Sequence, residues 1–336
     1  MVNNSEKIRE QKFSVIIPCR NEERYIGKCL DSILNQNYPI SKIEIIVVDG
    51  ISEDNTINII KEYQKKFNNI ILLTNQFKKT PQGLNIGIKN SSGEIIVILG
   101  AHATIDKNFI KFNNELIQEK NVYVTGGTQE NLGLTFTQNL IGTAMELPFA
   151  MGSAKYRWSN KEQYVDTVVY AAYKKELFNE IGYFEENFTI SEDAELNWRI
   201  RNAGYKILYS PKIKSYYYPR DSIISFIKQI FRYGILRVNV VKKHFNSIKL
   251  LHLIPPIFVI ILIITFLTSL LSKVGFNVLL IELGIYFLIN IITIFLKLFP
   301  NKLSYLLFMP FLIFIMHISW GTGFIYGLIK SKETVI

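Results

Sequence analysis

Cysteine is nearly absent: the 336 residues hold two, Cys19 and Cys29. They have no metal-ligand spacing and read as packing thiols in a reducing compartment. No Gly-x-Gly-x-x-Gly follows the first predicted strand and no Gly-x-x-x-x-Gly-Lys-[Ser/Thr] occurs anywhere, which weakens dinucleotide and P-loop readings. The start, MVNNSEKIREQKF, lacks an apolar h-region, so the expectation is no signal peptide and a chain that begins in the cytoplasm. From Leu250 onward there is no Arg and no Asp, only Lys273, Lys297, Lys302, Lys330 and Lys332 against Glu282 and Glu333. That segment carries +3 of the formal +10 and most of the apolar excess behind the 49% hydrophobic content.

Three long apolar stretches fill this charge-poor third, at residues 254–271, 278–296 and 303–329, separated by loops of about six residues. Each is long enough to cross a hydrocarbon core as a helix. The Pro255-Pro256 pair leaves an interfacial or re-entrant course open for the first, so two or three spans are expected, three being preferred. Ser222 to Lys249 holds Lys228, Arg232, Arg237, Lys242, Lys243 and Lys249 and no acid, which assigns residues 1–249 to the cytoplasmic side. Three spans then put Lys330 and Lys332 outside, a mild conflict with the same rule. Within that basic segment Ile223, Phe226, Ile227, Ile230 and Phe231 recur at helical spacing, predicting an amphipathic helix in the headgroup layer. Anionic lipid accounts for the basic balance, and no nucleic-acid motif appears.

The first half alternates. Apolar, β-branched runs at 13–19, 44–50, 70–74 and 94–99 are separated by helical patterns, and this order predicts a parallel sheet with helices on both faces. Ligands gather at the carboxyl ends of such strands. The polar residues there are Arg20, Asn21 and Glu22, then Asp49, Gly50 and Ser52, then Gly100, Ala101 and His102.

SVIIPCRNEERYIGKCLDSIL, IIVVDGISEDNT, GLNIGIKNSSGEIIVI and SEDAELNWRIRNAGYKI, in that order and spacing, resemble the family 2 glycosyltransferases. AHA, VDTVVYAAYKKELF and YYYPRDSIISFIKQIFRYG resemble, within that family, the glucosyltransferases of succinoglycan-type exopolysaccharide assembly. The resemblance covers about residues 12–250. It implies an α/β, Rossmann-like, mostly parallel GT-A (nucleotide-diphospho-sugar transferase) fold and inverting transfer from a UDP-sugar, glucose being the guess, to a lipid-linked acceptor. The expected organisation is a cytoplasmic GT-A domain over 1–220, an interfacial helix over 221–249 and a multi-pass membrane region over 250–336.

By this resemblance Pro18, Arg20, Asn21 and Glu22 contact the nucleotide, although Asn21 or Glu22 also suits a helix cap. Asp49 accepts a hydrogen bond from the uracil ring, and Asn85 and Ala101 lie near the donor, an ordinary helix-surface role being equally open for Asn85. Asp193 is the general base beside Glu192; two acids in a first helical turn are also favoured by the helix dipole. Leu196, Trp198 and Ile200, with Gly204 as stop, support the helix either way. Gln229, Arg232 and Tyr233 form a QxxRY, near the QxxRW of polysaccharide-synthesising relatives, by the acceptor and diphosphate.

The family usually places Asp-x-Asp after the fourth strand, and the succinoglycan-type subgroup Asp-Ala-His. This chain reads Gly100-Ala101-His102. Gly offers no ligand, whereas His102 can bind a divalent cation through neutral imidazole, which suits manganese better than magnesium. Arg232 and Arg157 are the candidates for the charge left uncompensated. The rival reading is a non-catalytic nucleotide-sugar-binding membrane protein. A nucleotidyltransferase is disfavoured, because PCRNEER has no glycine.

Overall fold

The computed structural model describes residues 8–188, 192–298 and 303–330; Ser191 of the SEDAEL block and the flanking Lys302 and Lys332 lie outside them. The described chain forms β1 (Phe13–Cys19), α1 (Ile26–Leu34), β2 (Ile43–Asp49), α2 (Thr56–Lys66), β3 (Ile70–Thr74), α3 (Thr80–Lys89), β4 (Ile95–Ile98), β5 (Ala103–Ile105), α4 (Phe109–Glu119) and β6 (Val124–Asn131). There follow α5 (Phe136–Met145), β7 (Gln163–Val165), β8 (Ala172–Lys174), α6 (Leu177–Ile181), α7 (Glu192–Asn202), β9 (Ile207–Tyr217), α8 (Ile223–Lys243), α9 (Leu250–Ser269), α10 (Lys273–Leu298) and α11 (Met309–Ile329). Two compact units emerge: Met1–Glu130 with Ser159–Tyr217, and Asn131–Trp158 with Tyr218–Ile336.

In the first unit the sheet runs β3-β2-β1-β4-β8-β6-β9-β5, with β7 on β9. β3, β2, β1 and β4 are mutually parallel, as the alternation predicts. Strands buried on both faces need continuous apolar runs, and Val15, Ile16, Ile17, Ile45, Ile46 and Val47 are each fully buried. Chain order reverses at β1, which has β2 on one side and β4 on the other, so the crevice lies beyond the carboxyl ends of those strands. Past β4 the pairings turn antiparallel, β4 with β8, β8 with β6, and β9 with both β5 and β7, so the whole sheet is mixed. Three of those added strands are three residues long, too short to give a periodic signal.

α7 is fixed by a buried ion pair. Glu195 is fully buried and receives Arg199 Nε at 3.0 Å and Nη2 at 2.8 Å, while the same guanidinium reaches Ile181 O at 2.5 Å and Tyr183 O at 2.8 Å. Gly204, at φ +91°, follows the helix end as predicted.

The second unit contains α5, α8 and three helices long and apolar enough to cross a membrane, α9, α10 and α11. α9 runs unbroken through Pro255 and Pro256. The pair sits within two turns of the helix start, where the two amide donors it removes leave the rest of the ladder intact. Thr265 Oγ1 donates to Glu282 Oε2 at 2.7 Å between α9 and α10, so the acid in the second stretch has a polar partner.

Replacing Arg199 by Ala is expected to strand the Glu195 carboxylate and cost about 3–5 kcal/mol. Thermal unfolding of the detergent-solubilised chain checks this, and an Arg199→Met, Glu195→Met double variant should recover most of the loss.

Candidate active site

Two loops at the ends of β1 and β2 are tied together residue by residue. Asn21 N donates to Ser52 Oγ at 2.9 Å and Glu53 N to Asn21 Oδ1 at 2.8 Å. Glu22 N donates to Thr56 Oγ1 at 2.8 Å, and Glu23 N to Asp54 Oδ2 at 3.1 Å. Asn21 sits at φ +56°, a left-handed conformation that Asn tolerates. Ile51, at φ +60°, is β-branched and tolerates it poorly, at a cost of roughly 1–3 kcal/mol.

That strain buys the position of Asp49. Its carboxylate, 3% exposed, receives Ser52 N at 3.0 Å on Oδ2 and Ser52 Oγ at 2.5 Å on Oδ1, with Cys19 Sγ at 3.7 Å. Each carboxylate oxygen accepts two hydrogen bonds, so Asp49 keeps capacity for an N–H donor such as a pyrimidine ring. Burial, with Asp49 beside it, pushes the Cys19 thiol up, and burial does the same to Cys29, so both are packing thiols. Pro18 is half-buried in β1, and Arg20 makes an exposed pair with Glu53 at 3.4 Å.

Beyond β4, Ala103 N donates to Gly100 O at 3.0 Å, closing a tight turn. Ala101 is 1% exposed and contributes backbone, whereas His102 is partly exposed at the turn. His102 Nδ1 lies 3.0 Å from Glu22 Oε1, joining two residues picked separately from the sequence. A Cβ on Gly100 would meet Tyr170 Cε1 at 3.4 Å and its hydroxyl at 3.5 Å, ordinary contact distances. Tyr170, held at φ +50°, therefore borders the position a side chain at residue 100 would start from. Only its positive φ marks it, and no sequence pattern announces that.

Among the described residues no group of three or more His, Cys, Asp or Glu could hold a metal ion by itself. One imidazole does fit: a His102 that gives its Nδ1 proton to Glu22 keeps the Nε2 lone pair for a cation, the carboxylate behind it fixing the tautomer.

Glu192 and Asp193 open α7, and Asp193 Oδ1 accepts from Ala194 N at 2.7 Å. Burial, reinforced by the Asp193 charge, pushes Glu192 up to about 8. Burial and these two carboxylates also raise the phenol of Tyr173 on β8, which places the acidic pair near the strand that flanks β4. The VDTVVY segment anchors α7: Asn197 Nδ2 donates to Thr167 Oγ1 at 2.8 Å, and Arg201 pairs with Asp166 at 3.2 Å.

Asn85 is buried rather than on a helix surface. Its amide donates to Phe184 O and accepts from Phe184 N, both at 2.9 Å, so the side chain clamps the loop before α7. In the second unit Gln229 Nε2 donates to Tyr233 Oη at 3.1 Å, and Arg232 is exposed on α8. Arg157, also in that unit, is buried against Tyr156 with Asn131 Oδ1 at 3.5 Å.

Because folded Glu192 holds its proton up to about pH 8 and an unfolded chain releases it near 4.5, rising pH across that window destabilises the fold. Glu192→Gln is expected to flatten this slope, leaving the variant more stable than wild type at pH 8 relative to pH 5 in denaturant titrations.

Residues 14–182 match the model of glycosyl transferase family 2. A Methanococcus voltae protein, dolichyl N-acetyl-alpha-D-glucosaminyl phosphate 3-beta-D-2,3-diacetamido-2,3-dideoxy-beta-D-glucuronosyltransferase, is 34% identical over 96% of this chain and 98% of its own. The succinoglycan biosynthesis protein ExoA of Rhizobium meliloti is 23% identical over 72% of this chain and 73% of its own. A solved mannosyltransferase from Pyrobaculum calidifontis, in complex with GDP-Man and Mn2+, shares the fold at TM-score 0.61 and 17% identity, covering 96% of this chain and 88% of its own. With the GT-A sheet, the family match and a full-length relative in agreement, the chain is an enzyme of the family 2 glycosyltransferases.

Proposed function

We propose that this enzyme moves a gluco-configured sugar from UDP to a sugar already carried on a membrane lipid, with inversion. The observation that carries the reading is the buried, pre-oriented Asp49 carboxylate at the crevice end of β2, matched by the acidic pair that opens α7. The acceptor class follows the Methanococcus relative, whose name gives a dolichyl-phosphate-linked sugar as acceptor, a glucuronosyl group as the sugar moved and a β linkage. Glucose itself is the narrower expectation of the succinoglycan-type resemblance.

In this mechanism Asp49 accepts the N–H of the uracil ring, and the knotted loop of Arg20, Asn21 and Glu22 lies beside the nucleotide. An acceptor hydroxyl attacks the anomeric carbon opposite the diphosphate. The new C–O bond forms as the bond to the diphosphate oxygen breaks, the hydroxyl proton passes to Asp193, and UDP leaves with the electron pair. Burial and the neighbouring Asp193 charge favour the protonated form of Glu192, and Asp193 is proposed to carry the negative charge of the pair. His102, backed by Glu22, is the residue that would hold a divalent cation, whose role is to offset diphosphate charge. Arg232 and Arg157 are the cationic side chains proposed to supplement it, since Gly100 supplies none. Gln229 and Tyr233, hydrogen-bonded to each other on α8, sit on the same helix as Arg232 and are assigned to the acceptor side.

UDP release from UDP-sugars with lipid-linked acceptors tests this. Asp193→Asn is expected to lower kcat by roughly 100- to 10,000-fold while UDP affinity stays at the wild-type value. Asp49→Ala should weaken UDP binding by about 10- to 100-fold. Loss of UDP binding in Asp193→Asn, or unchanged turnover, would remove the base assignment. His102→Ala should shift the manganese requirement to higher concentration, and turnover indifferent to EDTA in wild type would exclude the cation from the reaction.

A further inference from the structure

Of the three apolar helices, α9 and α10 differ from α11 in what covers them. The long apolar residues of α9 and α10 are exposed around much of the helix, among them Ile254, Ile257, Ile260 and Ile263 on α9. Along α11 and its N-cap the exposed apolar residues Phe308, Phe311, Ile315, Tyr326 and Ile329 recur on one face at helical spacing, with Leu328 exposed off that face near the carboxyl end. Most of the rest of α11 is packed on protein: α8 lies along it, while α9 meets it at Gly321 and α10 at Pro310 and His317.

The two helices lie side by side and run in the same direction. At one end Phe226 and Ile230 of α8 share an apolar cluster with Met309, Leu312, Ile313 and Met316 of α11. In the middle the backbones touch: a Cβ on Gly234 would sit 2.2 Å from Trp320 O, and one on Gly323 would sit 2.1 Å from Phe231 O. At the other end Lys242 Nζ donates to Gly327 O at 2.7 Å and to Lys330 O at 3.0 Å, closing the carboxyl end of α11. Any side chain at Gly234 or Gly323 would force the helices apart, so the pair is matched along its length.

α8 cannot cross a bilayer. Lys228, Arg232, Arg237, Lys242 and Lys243 are spread along it without one acid. They cover about 22 Å at the helical rise, so wherever such a helix crossed, charges would fall in hydrocarbon. A partner packed parallel to it from end to end takes the same course. We infer that α11 does not span the membrane: α8 and α11 lie together in the plane of the bilayer surface, and α9 and α10 form the sole membrane-crossing hairpin among the described residues.

The occupant of the exposed α11 stripe is then the lipid surface itself, with acyl chains against Phe311 and Ile315. Anionic headgroups meet exposed cations such as Arg232. This arrangement removes the charge conflict at the carboxyl end, since Lys330 returns to the side of Lys242 and Lys243. It also sets Gln229, Arg232 and Tyr233 at headgroup depth, which is where a phosphate-linked lipid carries its sugar. The packing and charge stand independently of the sugar chemistry.

The test uses the full chain in intact cells. Ser272→Cys, at the tip between α9 and α10, is probed with a membrane-impermeant maleimide, against wild type as blank because Cys19 and Cys29 are buried. A reporter fused to the carboxyl terminus, either a fluorescent protein or alkaline phosphatase, reads the other end. The inference expects position 272 and the carboxyl terminus on opposite sides of the membrane. Finding both on the same side, as three spans or none require, overturns it, whichever way the whole protein is inserted.

Discussion

A buried carboxylate must be surrounded by donors that are themselves held in place, and Asp49 meets that requirement chiefly through one residue, with Cys19 Sγ beside it. Ser52 donates to it from backbone and hydroxyl, and the same hydroxyl accepts Asn21 N from the neighbouring loop. Those bonds hold Ile51 in a left-handed conformation it would not adopt alone. The register of β1 with β2, Cys19 opposite Asp49, brings the two loops close enough to be tied. The donor end of the proposed site is thus a consequence of two parallel strands ending level with each other.

The acceptor end rests on different physics. α7 carries its acidic pair on a helix whose first turn favours negative charge, and the helix is held from below by Glu195–Arg199 and from the side by Asn197 on Thr167. Burial and the Asp193 charge raise Glu192 above the ordinary carboxylate range. The Gly100 turn is where the sequence departs from the resemblance. Tyr170 lies beside that turn, and the Glu22–His102 contact gives the remaining histidine an orientation.

Much of this is legible in the sequence because it is local. A continuous apolar run ending in Asp reads as a buried strand delivering a carboxylate, and β3 falls on the predicted residues 70–74. The contacts that were illegible are those between distant residues. Glu22 and His102 are 80 positions apart, and nothing in either segment specifies the pairing. Asn85 reads equally as a donor neighbour or as helix surface, and it faces the backbone of Phe184, 99 positions away. The antiparallel half escapes because three-residue strands carry no period. Gly234 and Gly323 look like weak points in apolar helices until each is seen against the other's backbone.

The central claim is a single in-line displacement with Asp193 as base, and the stereochemistry of the product tests it most directly. Proton NMR of the anomeric signal, recorded early in a reaction with an α-linked UDP-sugar, should show a β-linked product. An α-linked product would contradict the account, because retention requires a route that one general base on one face of the sugar does not provide.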